Sequence, residues 1–253
     1  MHGASDLGSV LLLHAGIADC RMWEPQIDAL TSSGFRVLAP DLRGFGDHRL
    51  EPRPFSHVRD VEALLAAPAA VIGCSQGGRV ALELAVYRPD LVERLVVIAP
   101  GLPGWEWSED VRAMWAEEEA AYDRGDFQAA AETSLRLWLD RPTRARGDVD
   151  PEIREAVREM VLRSYEMQRG AWEAGAREEE MLGGPVSDRL REIGCPTLVI
   201  VGDDDVPDML AIAEHVAGSI DGARLTTIRR AAHLPGLERP DDVNPLLLTF
   251  LEP

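Results

Sequence analysis

The chain has 253 residues, 45% of them hydrophobic, which suits one large α/β domain or a core with an inserted subdomain. It carries 44 Asp and Glu against 26 Lys and Arg; a formal charge of −18 argues against nucleic acid or an anionic membrane surface as a partner. Cys20, Cys74 and Cys195 have no disulfide-framework spacing. With no basic leader at the N-terminus and no apolar run of spanning length, they point to a cytoplasmic protein.

Short apolar runs alternate with amphipathic stretches along the chain. Val10–Leu13 is the first run, bounded by Ser9 and by Ala15-Gly16. Met22–Ser33 follows, with Trp23, Ile27 and Leu30 on one helical face. Arg36–Ala39 closes at Pro40-Asp41. Ala70–Gly73 leads into a helix over Gln76–Tyr87, which stops before Arg88-Pro89. Leu95–Ile98 is the fourth run. From about Leu102 to Ser187 the pattern is helical throughout, with helices expected over Ser108–Arg124, Phe127–Leu139 and Pro151–Trp172 and a loop over Arg144–Asp150. Thr197–Val201, a helix over Asp208–Ile220, a weaker run at Arg224–Ile228 and a helix from Pro240 complete the chain.

The first five runs are apolar at consecutive positions, as in strands covered on both faces. Strand and helix in alternation predict an α/β fold with a doubly wound, mostly parallel sheet. Residues 1–101 and 188–253 are expected to form its core, and 102–187 a helical insert. The insert holds Trp105, Trp107, Trp115, Trp138 and Trp172, which are expected to pack as its own core. Trp105 and Trp107 lie where the chain leaves a strand end, the usual place for a ligand cleft, and with Trp23 they are the candidates for pocket lining.

The sharpest chemical signal is Gly73-Cys74-Ser75-Gln76-Gly77-Gly78 between an apolar run and a helix. This is a G-x-S-x-G elbow in the strand–turn–helix context that the motif requires. The serine occupies a strained turn, so its neighbours must be small for strand and helix to approach. Its hydroxyl then stands at a helix N-terminus, where backbone N–H groups favour developing negative charge. Cys74, beside the aimed position, reads as a small buried filler.

A serine nucleophile needs a base, and the base an orienting acid. Thr197–Val201 ends in Gly202-Asp203-Asp204-Asp205, and His233 follows the weak run at Arg224–Ile228. Both lie at strand C-terminal ends, where an open α/β sheet gathers its site. Asp205 is the expected acid, with Asp203 and Asp204 in a solvated turn. His14 is expected to brace the neighbouring loop by hydrogen bonds. His48 and His57 read as loop residues, His215 and Asp19 as exposed. No His and carboxylate cluster has metal-ligand spacing, so no metal is expected.

Four segments carry a wider likeness: Leu13-His14-Ala15-Gly16 followed by Trp23, Asp41-Leu42-Arg43-Gly44-Phe45-Gly46, Gly202–Asp205, and His233-Leu-Pro-Gly-Leu-Glu-Arg-Pro240. With the elbow, they make the chain resemble the α/β-hydrolase fold superfamily over nearly its whole length. The branch is that of capped esterases, perhydrolases, enol-lactonases and carbon–carbon bond hydrolases. The resemblance implies a helical cap, no cofactor, and an oxyanion hole formed by the backbone N–H groups of Gly16 and Gln76. It implies a serine hydrolase that cleaves a carboxylic ester or lactone of a small, largely apolar substrate. The same residues would serve a carbon–carbon bond hydrolase or a cofactor-free perhydrolase, and a non-catalytic ligand-binding protein on this scaffold is the alternative of another class. Ala15 and Ala232 stand where the family favours glycine. The family also places two antiparallel strands ahead of the one matching Val10–Leu13. Only nine residues precede Val10, so those strands are expected to be absent. The edge at Arg36–Ala39 then lies open, and the expectation is either that a second subunit covers it in a homodimer or that the sequence begins at an internal methionine.

Overall fold

A computed structural model describes residues 7–140, 149–175, 179–180, 182 and 184–252. Most of the expected loop at Arg144–Asp150 lies outside these residues. The chain runs through β1 (Ser9–Leu13), α1 (Glu24–Ser32), β2 (Arg36–Leu38), α2 (His57–Glu62), β3 (Ala69–Cys74), α3 (Gln76–Tyr87) and β4 (Val92–Ile98). Three helices follow: α4 (Glu109–Asp123), α5 (Phe127–Leu135) and α6 (Pro151–Glu173). The chain then returns through β5 (Thr197–Gly202), α7 (Pro207–Ser219), β6 (Arg224–Ile228), α8 (Pro235–Glu238) and α9 (Pro240–Leu251).

The six strands form one parallel sheet in the order β2-β1-β3-β4-β5-β6. Side chains alternate across it, as a strand's period of two requires. Leu11, Leu13, Val71, Leu95, Val97, Val199 and Val201 face one layer, where α3 and α7 supply Val80, Leu84, Met209, Ile212 and Val216. Val10, Leu12, Ile72, Val96, Ile98 and Ile200 face the other, against Leu30 of α1 and Val243, Leu247 and Phe250 of α9. Both faces are covered, which is why β1, β3 and β5 read as continuous apolar runs.

β2 departs from that reading. Arg36 and Leu38 are exposed, Leu38 by 43%. It is the outermost strand on its side, and among the described residues nothing pairs with its outer edge. An apolar run therefore does not mark a strand covered on both faces when the strand closes a sheet.

Among the described residues, the segment between β4 and β5 contains helices joined by loops and no strand. Its helices do not form a separate core. Ala130, Leu135, Met160 and Val161 join the layer under α1 and α9, while Val111, Leu137 and Trp138 join the opposite one. The helix expected over Phe127–Leu139 stops at Leu135 and widens into a π-helical turn over Arg136–Asp140, which buries Leu137, Trp138 and Leu139 together. Such wide turns recur at functional sites. No helix among the described residues is long and apolar enough to cross a membrane.

Candidate active site

Ser75 sits between β3 and α3 with φ 51° and ψ −112°, a conformation that only a heavily constrained turn holds for a residue with a side chain. The constraints are visible. Its N–H donates to the Ile98 carbonyl (2.9 Å), and its carbonyl accepts from Gly101 (2.9 Å) and Arg79 (2.9 Å). A Cβ at Gly73 would strike the Gly77 carbonyl, and one at Gly77 would strike the Leu13 carbonyl. Those two glycines let β1, β3 and α3 meet behind the serine. Gly77 N–H donates to the His14 carbonyl (3.0 Å), tying the elbow to the loop after β1. The Gln76 amide lies at the first helical position, where no carbonyl of its own helix can reach it.

That loop is braced by His14, as expected. Leu42 N–H donates to His14 Nε2 (2.9 Å), which leaves Nδ1 as the protonated nitrogen, 2.8 Å from the Ala15 carbonyl. Burial lowers the His14 pKa and keeps the ring neutral in that role. Gly16 follows, and a Cβ there would lie 2.8 Å from Gln76 Oε1. The two candidate oxyanion residues are therefore neighbours, with the Gln76 side chain packed across Gly16.

His233 and Asp205 come together in the buried interior. His233 Nδ1 donates to Asp205 Oδ2 at 2.8 Å, and Val206 N–H donates to Asp205 Oδ1 at 2.7 Å. Both carboxylate oxygens are engaged, so the imidazole is held in one orientation with Nε2 as the nitrogen left to exchange protons. Of the three adjacent aspartates, Asp203 is exposed and accepts from Arg230 N–H (2.6 Å), Asp204 is half-buried, and Asp205 alone is buried. The histidine loop is anchored to the elbow strand: the Cys74 thiol, next to Ser75, donates to the His233 carbonyl (3.6 Å). Burial pushes the Cys74 thiol pKa well up, so it is inert as a nucleophile. Glu238 accepts from Ala232 and Leu234 N–H (3.1 Å each) and fixes the loop from its other side.

Ser75 and Gln76 open into a cavity of about 740 Å³. Trp107 lines it. Trp105 does not: it packs on the exposed His215, with ring centroids 6.0 Å apart. Trp23 does not either, being fully buried under β1. The remaining indole walls are Trp115, Trp138 and Trp172. Trp138 also stacks on His233, with centroids 4.3 Å apart and planes at 33°, and its carbonyl accepts from His233 N–H (3.3 Å). Sequence reasoning left these three as packing residues. The residue composition of the insert was the available signal, but the π-helical turn that aims Trp138 has no sequence signature.

His57 and Asp19 require correction. His57 opens α2 and is buried against the cavity; it is not a loop residue. Gln76 Nε2 donates to His57 Nε2 (3.1 Å), and His57 Nδ1 has no partner among the described residues. Burial, with Arg79 nearby, holds its pKa down at about 3. Arg79 is sandwiched between Glu83 (3.0 Å) and Glu179 (2.5 Å), and Glu179 also accepts from His57 N–H (2.9 Å), so this wall is polar but charge-paired. Asp19 is buried, not exposed, because Arg21 pairs with it (2.7 Å) and its carboxylate caps the turn at Cys20. Asp19, Cys20 and Asp41 gather possible metal ligands within 4.8 Å of one another. They do not fit a cation: Asp19 is neutralised by Arg21, Asp41 is spent on the N–H groups of Cys20 and Asp47, and burial pushes the Cys20 thiol up to about 12.

A parallel sheet with a serine elbow at a strand end and a buried His–Asp pair beside it defines a protein of the α/β-hydrolase class. The sequence model of the Alpha/beta hydrolase family matches residues 10–246, and the chain belongs to that family. It is similar to carboxylesterase YbfK of Bacillus subtilis, 28% identical over 98% of this chain and 82% of the relative. It is similar also to a pimeloyl-(acyl-carrier protein) methyl ester esterase of Nitrosospira multiformis, 28% identical over 92% of this chain and 90% of the relative. Among solved structures, the enol-lactonase from Burkholderia xenovorans LB400 superposes with a TM-score of 0.76 at 25% identity, over 99% of this chain and 92% of that one.

Proposed function

We propose that this chain is a serine hydrolase that cleaves a carboxylic ester or lactone of a small, largely apolar substrate through an acyl-serine intermediate. The observation that carries the reading is the strained Ser75 turn with the His233–Asp205 pair anchored to the strand behind it. Relatives named as carboxylesterase, methyl ester esterase and enol-lactonase support it. In this mechanism His233 Nε2 takes the Ser75 proton as Oγ attacks the carbonyl. Asp205 holds the tautomer and stabilises the imidazolium. The N–H groups of Gly16 and Gln76 receive the oxyanion, and loss of one such donor costs on the order of a hundredfold in rate. Protonated His233 then delivers its proton to the leaving oxygen. Water, deprotonated by the same ring, releases the acid. Trp107, Trp115, Trp138 and Trp172 make the cavity mostly apolar, and the helical segment that carries the last three acts as a cap that limits water.

The test is hydrolysis of a nitrophenyl ester series from acetyl to long acyl by the wild-type protein and by Ser75→Ala. Turnover of a short or medium ester that falls at least about a thousandfold in the variant is the expected result. A folded wild-type protein inactive on every ester and lactone tried would sink the reading and leave carbon–carbon cleavage, perhydrolysis or non-catalytic binding on the same scaffold.

A further inference from the structure

A second cavity, of about 430 Å³, opens from the same tryptophans. Trp115, Trp138 and Trp172 line both spaces, and Ile17, the neighbour of Gly16, lines the second one. It is therefore a side chamber that shares an aromatic wall with the site that holds Ser75. Tyr122 and Tyr165 complete its walls, with ring centroids 5.2 Å apart, and Tyr122 lies 5.1 Å from Trp172. Five aromatic rings thus surround one space.

Among the described residues, the charged groups that line the chamber are carboxylates. Glu119 and Asp123 stand exposed at its mouth, and the half-buried Glu118 lies deeper, accepting from Tyr165 Oη (2.6 Å). No Lys or Arg lines it among the described residues. Burial raises the Glu118 pKa, so this carboxylate gains when a positive charge comes beside it. Aromatic faces attract cations through their quadrupoles, best where water is excluded, and rings combined with carboxylates are how alkylammonium groups are recognised. A neutral apolar group would leave Glu118 facing hydrocarbon, and an anion would be repelled.

We infer that this aromatic side chamber binds a cationic alkylammonium group of the substrate, so that the ester or lactone presented to Ser75 carries a quaternary or protonated amine. The inference rests on the serine-hydrolase reading for the reaction, but not for the binding.

The test uses two shape-matched esters, butyrylcholine and 3,3-dimethylbutyl butyrate, in which a carbon replaces the ammonium nitrogen. Preference for the choline ester by about tenfold or more in kcat/KM is expected, from the usual strength of a desolvated cation–aromatic contact. In Glu118→Gln, and in Asp123→Asn should the first variant fold poorly, the ratio of the two esters falls toward one. Independently, tetramethylammonium titrated into Ser75→Ala should change the tryptophan fluorescence saturably, while sodium at equal ionic strength does not. Equal turnover of the two esters with no saturable tetramethylammonium signal overturns the inference and leaves the hydrolase reading standing. A saturable signal with neither ester cleaved, and no nitrophenyl ester cleaved, does the reverse.

Discussion

At the scale of single residues, the site shows that burial and position carry more of the chemistry than charge does. His14 and His57 are both buried and held neutral, yet they differ in use. His14 spends both nitrogens on the loop that presents Gly16. His57 accepts from Gln76 and leaves Nδ1 without a partner among the described residues. Its pKa falls from 6.5 to about 3 because burial penalises the imidazolium. The sign for stability follows directly. Between those two values the unfolded chain binds a proton at this position and the folded chain does not. The contribution is therefore fully present above pH 6.5 and is lost as pH falls toward 3. At pH 4.5 this amounts to about 3 kcal/mol, from roughly 1.4 kcal/mol per unit of difference. Urea unfolding at pH 7 and 4.5 should show His57→Gln losing less stability over that interval than the wild-type chain, by about that amount. Identical losses in the two proteins would mean that His57 is solvated. The strained turn at Ser75 and the pairing of Asp205 with His233 were legible in the sequence because an elbow and two strand-end loops have fixed local signatures. His57 was not, since nothing local tells a histidine opening a short helix from one in a loop. Asp19 read as exposed because its partner Arg21 lies two residues on, in a turn with no apolar periodicity.

At the scale of elements, the parallel sheet follows from the apolar runs, and each expected strand forms within a few residues of its run. The helices outside the sheet were less legible at their ends, because a helix stops where packing stops. Phe127–Leu135 gives way to a π-helical turn four residues short of its expected end, since Leu137 and Trp138 are needed in a different layer from Leu135 and Leu139. α2 was missed because six residues are too few for a period to register. β2 is an edge strand of the sheet. Arg36 N–H donates inward to the Gly8 carbonyl (3.0 Å), so by alternation Val37 turns its N–H to the outer edge. A second copy of the chain added there, related by a twofold axis, would pair β2 with β2 in antiparallel fashion. Light scattering on a sizing column should then give twice the chain mass. Val37→Pro removes the outward N–H while sparing the inward ladder, and should return a monomer. A wild-type monomer at every concentration would sink this assembly.

At the scale of the whole molecule, the formal charge of −18 has a use that the fold alone does not give it. Net charge of this size keeps a protein soluble, and it also sets up a potential that draws cations toward the surface and repels anions. Around the nucleophile the charges are held in ion pairs, Arg79 with both Glu83 and Glu179 and Arg43 with Asp60, so two cations face three carboxylates there. The side chamber adds the half-buried Glu118, and among the described residues no Lys or Arg lines it. Long-range attraction and local recognition then act on the same ligand, the first screened by salt and the second far less so, because the screening length shrinks to about 8 Å at physiological ionic strength and about 3 Å at 1 M. Raising salt from about 0.02 to 0.5 M should therefore lower kcat/KM for butyrylcholine several-fold, through its encounter and binding steps. The neutral 3,3-dimethylbutyl ester should change by less than about twofold over the same range, because it has no charge for the field to act on. The preference for the cation should shrink at high salt without vanishing, since the rings and the half-buried Glu118 remain. Parallel salt curves for the two esters would show that the acidic surface has no part in selecting the substrate.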